Sequence, residues 1–148
     1  MEKIGGVEDK PIAAKGVSLN VSLDKPKFTD KDPIKLNLKI ENERPDSITV
    51  WSCGFWPNHR VEIMDENGKE PPLTDFGRTT RKMFASGARD KNVPFTIRPG
   101  NNHSYTSGDV RKIYEMKPGK YKIQVLFNET TPPDSIRIVS KSIRFELE

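Results

Sequence analysis

The chain has 148 residues, 33% of them hydrophobic and 31% charged, and its 25 basic and 21 acidic side chains leave a net charge of +4. That length fits one domain with a real core, and no apolar run approaches the roughly 18 residues of a membrane-spanning helix, so the chain is read as not membrane-spanning. The single cysteine, Cys53, excludes an internal disulfide and a cysteine zinc site.

Residues 1–15 are polar with a Gly-Gly pair and read as a flexible lead-in, the remnant expected where a native signal peptide has been removed; residues 16–148 read as one domain. After Gly16, Val17, Leu19, Val21 and Leu23 alternate with polar neighbours, which is the period of a half-buried strand. A run between Lys25 and Pro33, with Pro26 and Pro33 barred from central ladder positions, turns the chain into a second strand built on Ile34, Leu36, Leu38 and Ile40. Asn42 to Asp46 is a turn before a strand over Ser47–Trp51, and Arg60–Asp65 is a strand closed by Asp65-Glu66-Asn67-Gly68. Asn67-Gly68 predicts a tight hairpin with positive φ at both residues, and Lys69-Glu70 a short return stopped by Pro71 and Pro72. From Pro71 to Asn92 no period is visible, and the stretch reads as a long irregular loop, the kind that tends to carry function. Strand Val93–Arg98 ends at Pro99-Gly100, and a polar stretch with Tyr105 and Gly108 follows. Asp109 caps a single helical turn, Pro118-Gly119 leads into the strongest strand, Lys120–Phe127, and a last strand runs from Ile136 to Leu147.

Basic residues such as Lys35, Lys39, Lys122 and Arg144 fall on the outward positions of these strands, so the positive balance reads as a solvated face and no nucleic-acid partner is expected. His59 and His103 are the only neutral-pH bases and stand in no catalytic motif. Cys53 and His59, six residues apart, form the one candidate nucleophile and base. Asp65-Glu66-Asn67-Gly68 lacks the alternating oxygen ligands of a calcium loop. The chain is therefore expected to have no catalytic centre, metal or cofactor.

Two segments concentrate binding chemistry. Trp51, Phe55, Trp56 and His59 crowd nine residues that hold both tryptophans of the chain. Such rings either plug the sandwich between its sheets or anchor a protein or glycan partner, because they bury large area with few torsions to freeze. In the 71–92 stretch Phe76, Met83 and Phe84 alternate with Arg78, Arg81, Lys82 and Arg89; Thr74 to Lys91 carries five basic and two acidic residues, a local +3. Phe76 and Phe84 either fold this loop onto the sheet or serve as apolar anchors inside a basic rim.

Pro118-Gly119-Lys120-Tyr121-Lys122-Ile123-Gln124-Val125 resembles the entry into the sixth strand of immunoglobulin-like sandwiches. The resemblance implies that Tyr121 is the corner tyrosine of that fold and that Ile123 takes the core position held by cysteine in antibody domains, with apolar packing in place of the disulfide. From Ile34 to Val125 the order of turns, through Glu41-Asn42, Asp65-Glu66-Asn67-Gly68-Lys69 and Arg98-Pro99-Gly100, is similar to the bacterial intracellular proteinase inhibitor family and to immunoglobulin-like modules of exported bacterial proteins. The Pro71–Asn92 stretch is an insertion relative to the compact inhibitor pattern.

The expectation is an all-β, immunoglobulin-like antiparallel sandwich of at least seven strands with one long loop. Its expected role is a non-catalytic binding or accessory module of a bacterial exported or surface protein, extracytoplasmic, monomeric or weakly dimeric. The contacts would come from Trp51, Phe55, Trp56, His59, Phe76, Arg78, Arg81 and Phe84. The alternative is a proteinase inhibitor that presents the 71–92 loop, with Arg78, Arg81 or Arg89 at the cleavage site.

Overall fold

The computed structural model describes residues 16–52, 54–86, 93–129 and 136–148, the side chains of Trp51, Ser52 and Val93 excepted. The 1–15 lead-in, Cys53 and Arg89 lie outside these residues. Among the described residues there are ten strands: β1 (Val17–Ser22), β2 (Lys27–Phe28), β3 (Asn37–Asn42), β4 (Ile48–Ser52), β5 (His59–Asp65), β6 (Val93–Ile97), β7 (Asn102–Thr106), β8 (Gly119–Glu129), β9 (Ile136–Val139) and β10 (Ile143–Leu147). They are joined by the one-turn helix α1 (Phe55–Asn58), helix α2 (Asp75–Ser86) and a 3-10 turn over Val110–Ile113.

One sheet has the order β1-β3-β7, the second β2-β10-β8-β5 with β9 also beside β8, and β4 pairs with β6. All pairings are antiparallel except the short β2–β10 contact, where Lys27 and Phe28 run parallel to Glu146 and Leu147. The molecule is thus an all-β, immunoglobulin-like sandwich. The alternating residues read from the sequence meet between the sheets: Val17, Leu19, Leu38 and Ile40 on one side, Val61, Ile63, Ile123, Val125 and Phe145 on the other, all buried. The Tyr121 hydroxyl donates to the Lys117 carbonyl four residues upstream at 2.5 Å, the tie of a tyrosine corner, and Ile123 is fully buried at the expected core position.

Several sequence expectations are corrected. Ile34 and Leu36 are buried but lie outside the ladder, because the neighbouring chain departs from strand geometry there. Ile34 N–H donates to Asp109 Oδ1 (2.9 Å) and Leu36 N–H to Ser107 Oγ (2.8 Å), so side chains replace the missing ladder bonds. Asp109 also accepts from Arg111 N–H and caps the 3-10 turn as expected. The polar stretch after Gly100 is a strand, β7, whose half-buried positions are His103 and Tyr105 instead of aliphatic residues. No strand forms at Lys69-Glu70, and at the preceding turn only Gly68 has positive φ; Asn67 does not. The last strand is two, interrupted at 140–142, where Ser140 Oγ accepts from Val125 N–H.

The largest correction is at 71–92, where residues 75–86 form α2 and not an irregular loop. Thr74 caps it, its hydroxyl accepting from Gly77 N–H at 3.0 Å, and Asp75 places a negative charge in the first turn. The buried face is Gly77, Thr80 and Phe84, with the half-buried Arg81 beside them. That spacing is helical, but glycine, threonine and arginine at three of its four positions hide the apolar period. Phe84 joins Leu126 and Val139 in a small cluster on the outer face of the second sheet, which α2 covers.

Candidate functional site

Helix α1 turns the chain between β4 and β5 and brings three rings together. Phe55 stacks on His59 at 4.1 Å and meets Trp56 edge-on at 4.8 Å. Trp56 lies over Gly108, where a β-carbon would come within 3.3 Å of its ring, and packs partly buried against the core. From the other side it receives Phe76 of α2 in a T-shaped contact at 5.6 Å.

His59 is buried at the start of β5. Its Nδ1 lies 2.7 Å from the Phe55 carbonyl, which only accepts, so Nδ1 carries the proton and donates. Nε2 is then the acceptor for the Tyr105 hydroxyl at 2.6 Å. Burial pushes the imidazole down to about 3, against the pull of the Phe55 bond. His59 is therefore a neutral, fully engaged ring inside the fold and no surface contact, contrary to the sequence expectation.

Arg81, expected on a binding rim, is instead held under α2. Its guanidinium meets Glu70 at 3.0 Å, donates to the Tyr114 hydroxyl at 2.8 Å and lies 3.5 Å from Glu62. Glu62 has no exposed surface and also touches the Arg60 guanidinium. Burial pushes the Glu62 carboxyl up to about 7, outweighing the opposite pull of Arg60 and Arg81. Tyr114 closes the network by donating to the Val61 carbonyl at 3.2 Å. The network locks α2 to β5 and the 3-10 turn.

Of the remaining predicted contacts, Phe84 is turned onto the sheet, and Phe55 and Trp56 are half-buried. Trp51 has its backbone in β4 opposite Pro94, and its side chain lies outside the described residues. Among the described residues, Phe76 and Met83 are the two large hydrophobic side chains left exposed, at 43% and 40%. They stand seven residues apart, about two turns, on one flank of α2. Arg78 is exposed, bonded to the Leu73 carbonyl at 2.9 Å and to Asp75, and Lys82 is exposed beside it. Met83, which the sequence placed only among the loop's apolar residues, thus belongs with Phe76, and the signal that links them is the helical interval itself. Among the described residues no helix is long and apolar enough to cross a membrane, and no group of three or more His, Cys, Asp or Glu side chains is placed to hold a metal ion.

No family model matches the chain, and no curated protein matches it. Among solved structures, an alkylpurine DNA glycosylase of Pseudomonas fluorescens, bound to DNA with an abasic site analog, is 14% identical with a TM-score of 0.44 over 90% of this chain. The chain spans 30% of the length of that glycosylase. The CARDB domain of a Pyrococcus furiosus protein, in complex with di-metal ions, is 12% identical with a TM-score of 0.44 and is covered over 87% of its length by 89% of this chain. A β-glucosidase of Erythrobacter marinus is 12% identical with a TM-score of 0.45, over 92% of this chain and 16% of its own.

Proposed function

We propose that the chain is a non-catalytic binding module of a bacterial exported or surface protein, and that it docks a protein partner on the outer flank of α2. The observation that carries this reading is the pair Phe76 and Met83, left in water by a helix whose inward face is already occupied. Trp56 extends the apolar strip from α1 through its contact with Phe76, and Arg78 and Lys82 border it. An apolar strip with a basic rim complements an acidic protein surface, with the rings supplying buried area and the cations orientation and encounter rate. The exported setting rests on the likeness of the order of turns from Ile34 to Val125 to immunoglobulin-like modules of such proteins.

The inhibitor alternative is disfavoured at two of its three candidate residues, Arg78 and Arg81, while the third, Arg89, lies outside the described residues. A protease cleft takes an extended segment, whereas Arg78 and Arg81 are helical and Arg81 is bound within the Glu62 and Glu70 network. A photo-crosslinking residue placed at position 76 in cells should yield one protein adduct that is absent when the same residue stands at exposed Thr96, and that Met83→Glu or Arg78→Glu weakens. Equal labelling from both positions, or adducts indifferent to both substitutions, would remove the reading.

A further inference from the structure

The end of the sandwich next to α1 is not filled. A cleft of about 180 Å³ opens there beside Gly54, between β7 and the start of β5, over Ile40 and Val50. Its walls are mostly rings, Phe55, His59, Phe95, His103, Tyr105 and Phe127, and Thr106 stands at its rim, exposed to water. Phe95 and His103 are 4.3 Å apart, and His103 and Tyr105 5.3 Å, so the β6 and β7 rings form a continuous wall opposite Phe55 and Phe127. This surface is separate from the α2 flank and has no part in the docking reading.

We propose that this cleft is a binding site for a small uncharged aromatic compound that carries one hydrogen-bond donor, of the size of phenol or indole. Three observations select that class. An apolar protein cavity of about 150 Å³ accommodates one benzene ring, so the volume fits a single ring system and little more. Ring walls at these separations offer edge and face contacts that add to burial of apolar area. Among the described residues that line the cleft none is acidic, lysine or arginine, so a cationic ligand would lose hydration without a counter-charge.

The donor requirement follows from His59. With Nδ1–H committed to the Phe55 carbonyl, Nε2 takes the Tyr105 proton, which fixes the orientation of that hydroxyl and leaves its oxygen able only to accept. A ligand N–H or O–H satisfies it, and a ring without a donor does not. Tyr105 therefore selects among rings that fit equally well.

The test is a titration of the full chain with indole, phenol and toluene, followed by NMR at the methyl groups of Ile40 and Val50. Saturable shifts are expected for all three. Tyr105→Phe should raise the indole and phenol dissociation constants about tenfold, the usual value of one hydrogen bond, and leave toluene unchanged. Thr106→Trp puts a large ring at the exposed rim, on a strand position that tolerates it, and should abolish all three. Because Tyr105→Phe leaves Nε2 of His59 without its donor and could unfold the chain, in that case Thr106→Trp decides the site and tighter binding of phenol than of toluene by the native chain decides the donor. Absence of saturable shifts, shifts that survive Thr106→Trp, or tighter binding of tetramethylammonium than of indole would overturn the proposal.

Discussion

A β-carbon on Gly77 would lie 2.1 Å from the Ile113 carbonyl oxygen, a backbone atom that cannot turn aside. In an exposed helix Gly→Ala would stabilise by about 1 kcal/mol through helix propensity. Here the contact reverses the sign, since overpacking against backbone costs about 1–3 kcal/mol. Gly77→Ala should therefore lower the thermal midpoint by several degrees, with about 2–4 °C expected per kcal/mol at this chain length, measured by calorimetry. An unchanged or raised midpoint would show that α2 does not sit against the 3-10 turn. At the opposite end of the sandwich, Tyr121→Phe removes only the bond to the Lys117 carbonyl and should cost about 1 kcal/mol in denaturant unfolding. The tyrosine was legible in the sequence because Pro118-Gly119 sets the turn just before it. The glycine was not, because its constraint comes from residue 113, distant along the chain.

Helix α2 is the element on which the functional reading rests, and its anchorage can be tested in two places. Thr74 accepts from Gly77 N–H and donates to the Lys112 carbonyl at 2.5 Å, so it both starts the helix and ties it to the 3-10 turn. Thr74→Ala should cost about 1 kcal/mol or somewhat more, the ordinary value of a lost cap. Phe84→Ala empties the contact with Leu126 and Val139 and should cost about 3 kcal/mol, with hydrogen exchange in 75–86 accelerating before that of β8. Equal acceleration in β8 would mean that helix and sheet open together. The same helix shows how a polar element escapes a reading by apolar period. Its cap, Thr74, and its acidic first turn were present in the sequence, but three of its four inward positions are glycine, threonine and arginine. Those residues pack inward only because Glu62, Glu70 and Tyr114 wait to receive Arg81.

For the whole molecule, two buried groups with opposite shifts shape the dependence of stability on pH. His59 has its folded value depressed from 6.5 to about 3, so its neutral form stabilises above 6.5 and that contribution is lost as pH falls toward 3. Glu62 has its folded value raised from 4.5 to about 7, so its contribution is full below 4.5 and is lost as pH rises toward 7. Between 4.5 and 6.5 the unfolded chain holds the histidine proton and the folded chain the glutamate proton, and the two slopes oppose each other. Stability of the native chain should be nearly flat in this window as far as these groups act. Glu62→Gln removes one slope, so its stability should rise with pH across the window, whatever its absolute value. Unfolding midpoints in urea at four pH values would check this, and a variant with the same flat profile as the native chain would contradict the assignment of either proton.

The sequence by itself determined the all-β class, the inward faces of its aliphatic strands, the corner tyrosine and the capped turn at Asp109, because each is a local pattern whose physics is complete within a few residues. Period-two alternation of Val, Ile and Leu has one way to meet water and core at once. Tertiary structure alone decided which rings face solvent, that His59 is a neutral buried ring bonded to Tyr105, that Arg81 is neutralised beneath α2, and that Phe76 and Met83 share a flank. These are properties of pairs far apart in the chain, where burial and partners, not residue type, set charge state and exposure. A candidate site chosen by composition therefore kept its aromatic character while three of its members, His59, Arg81 and Phe84, became part of the scaffold.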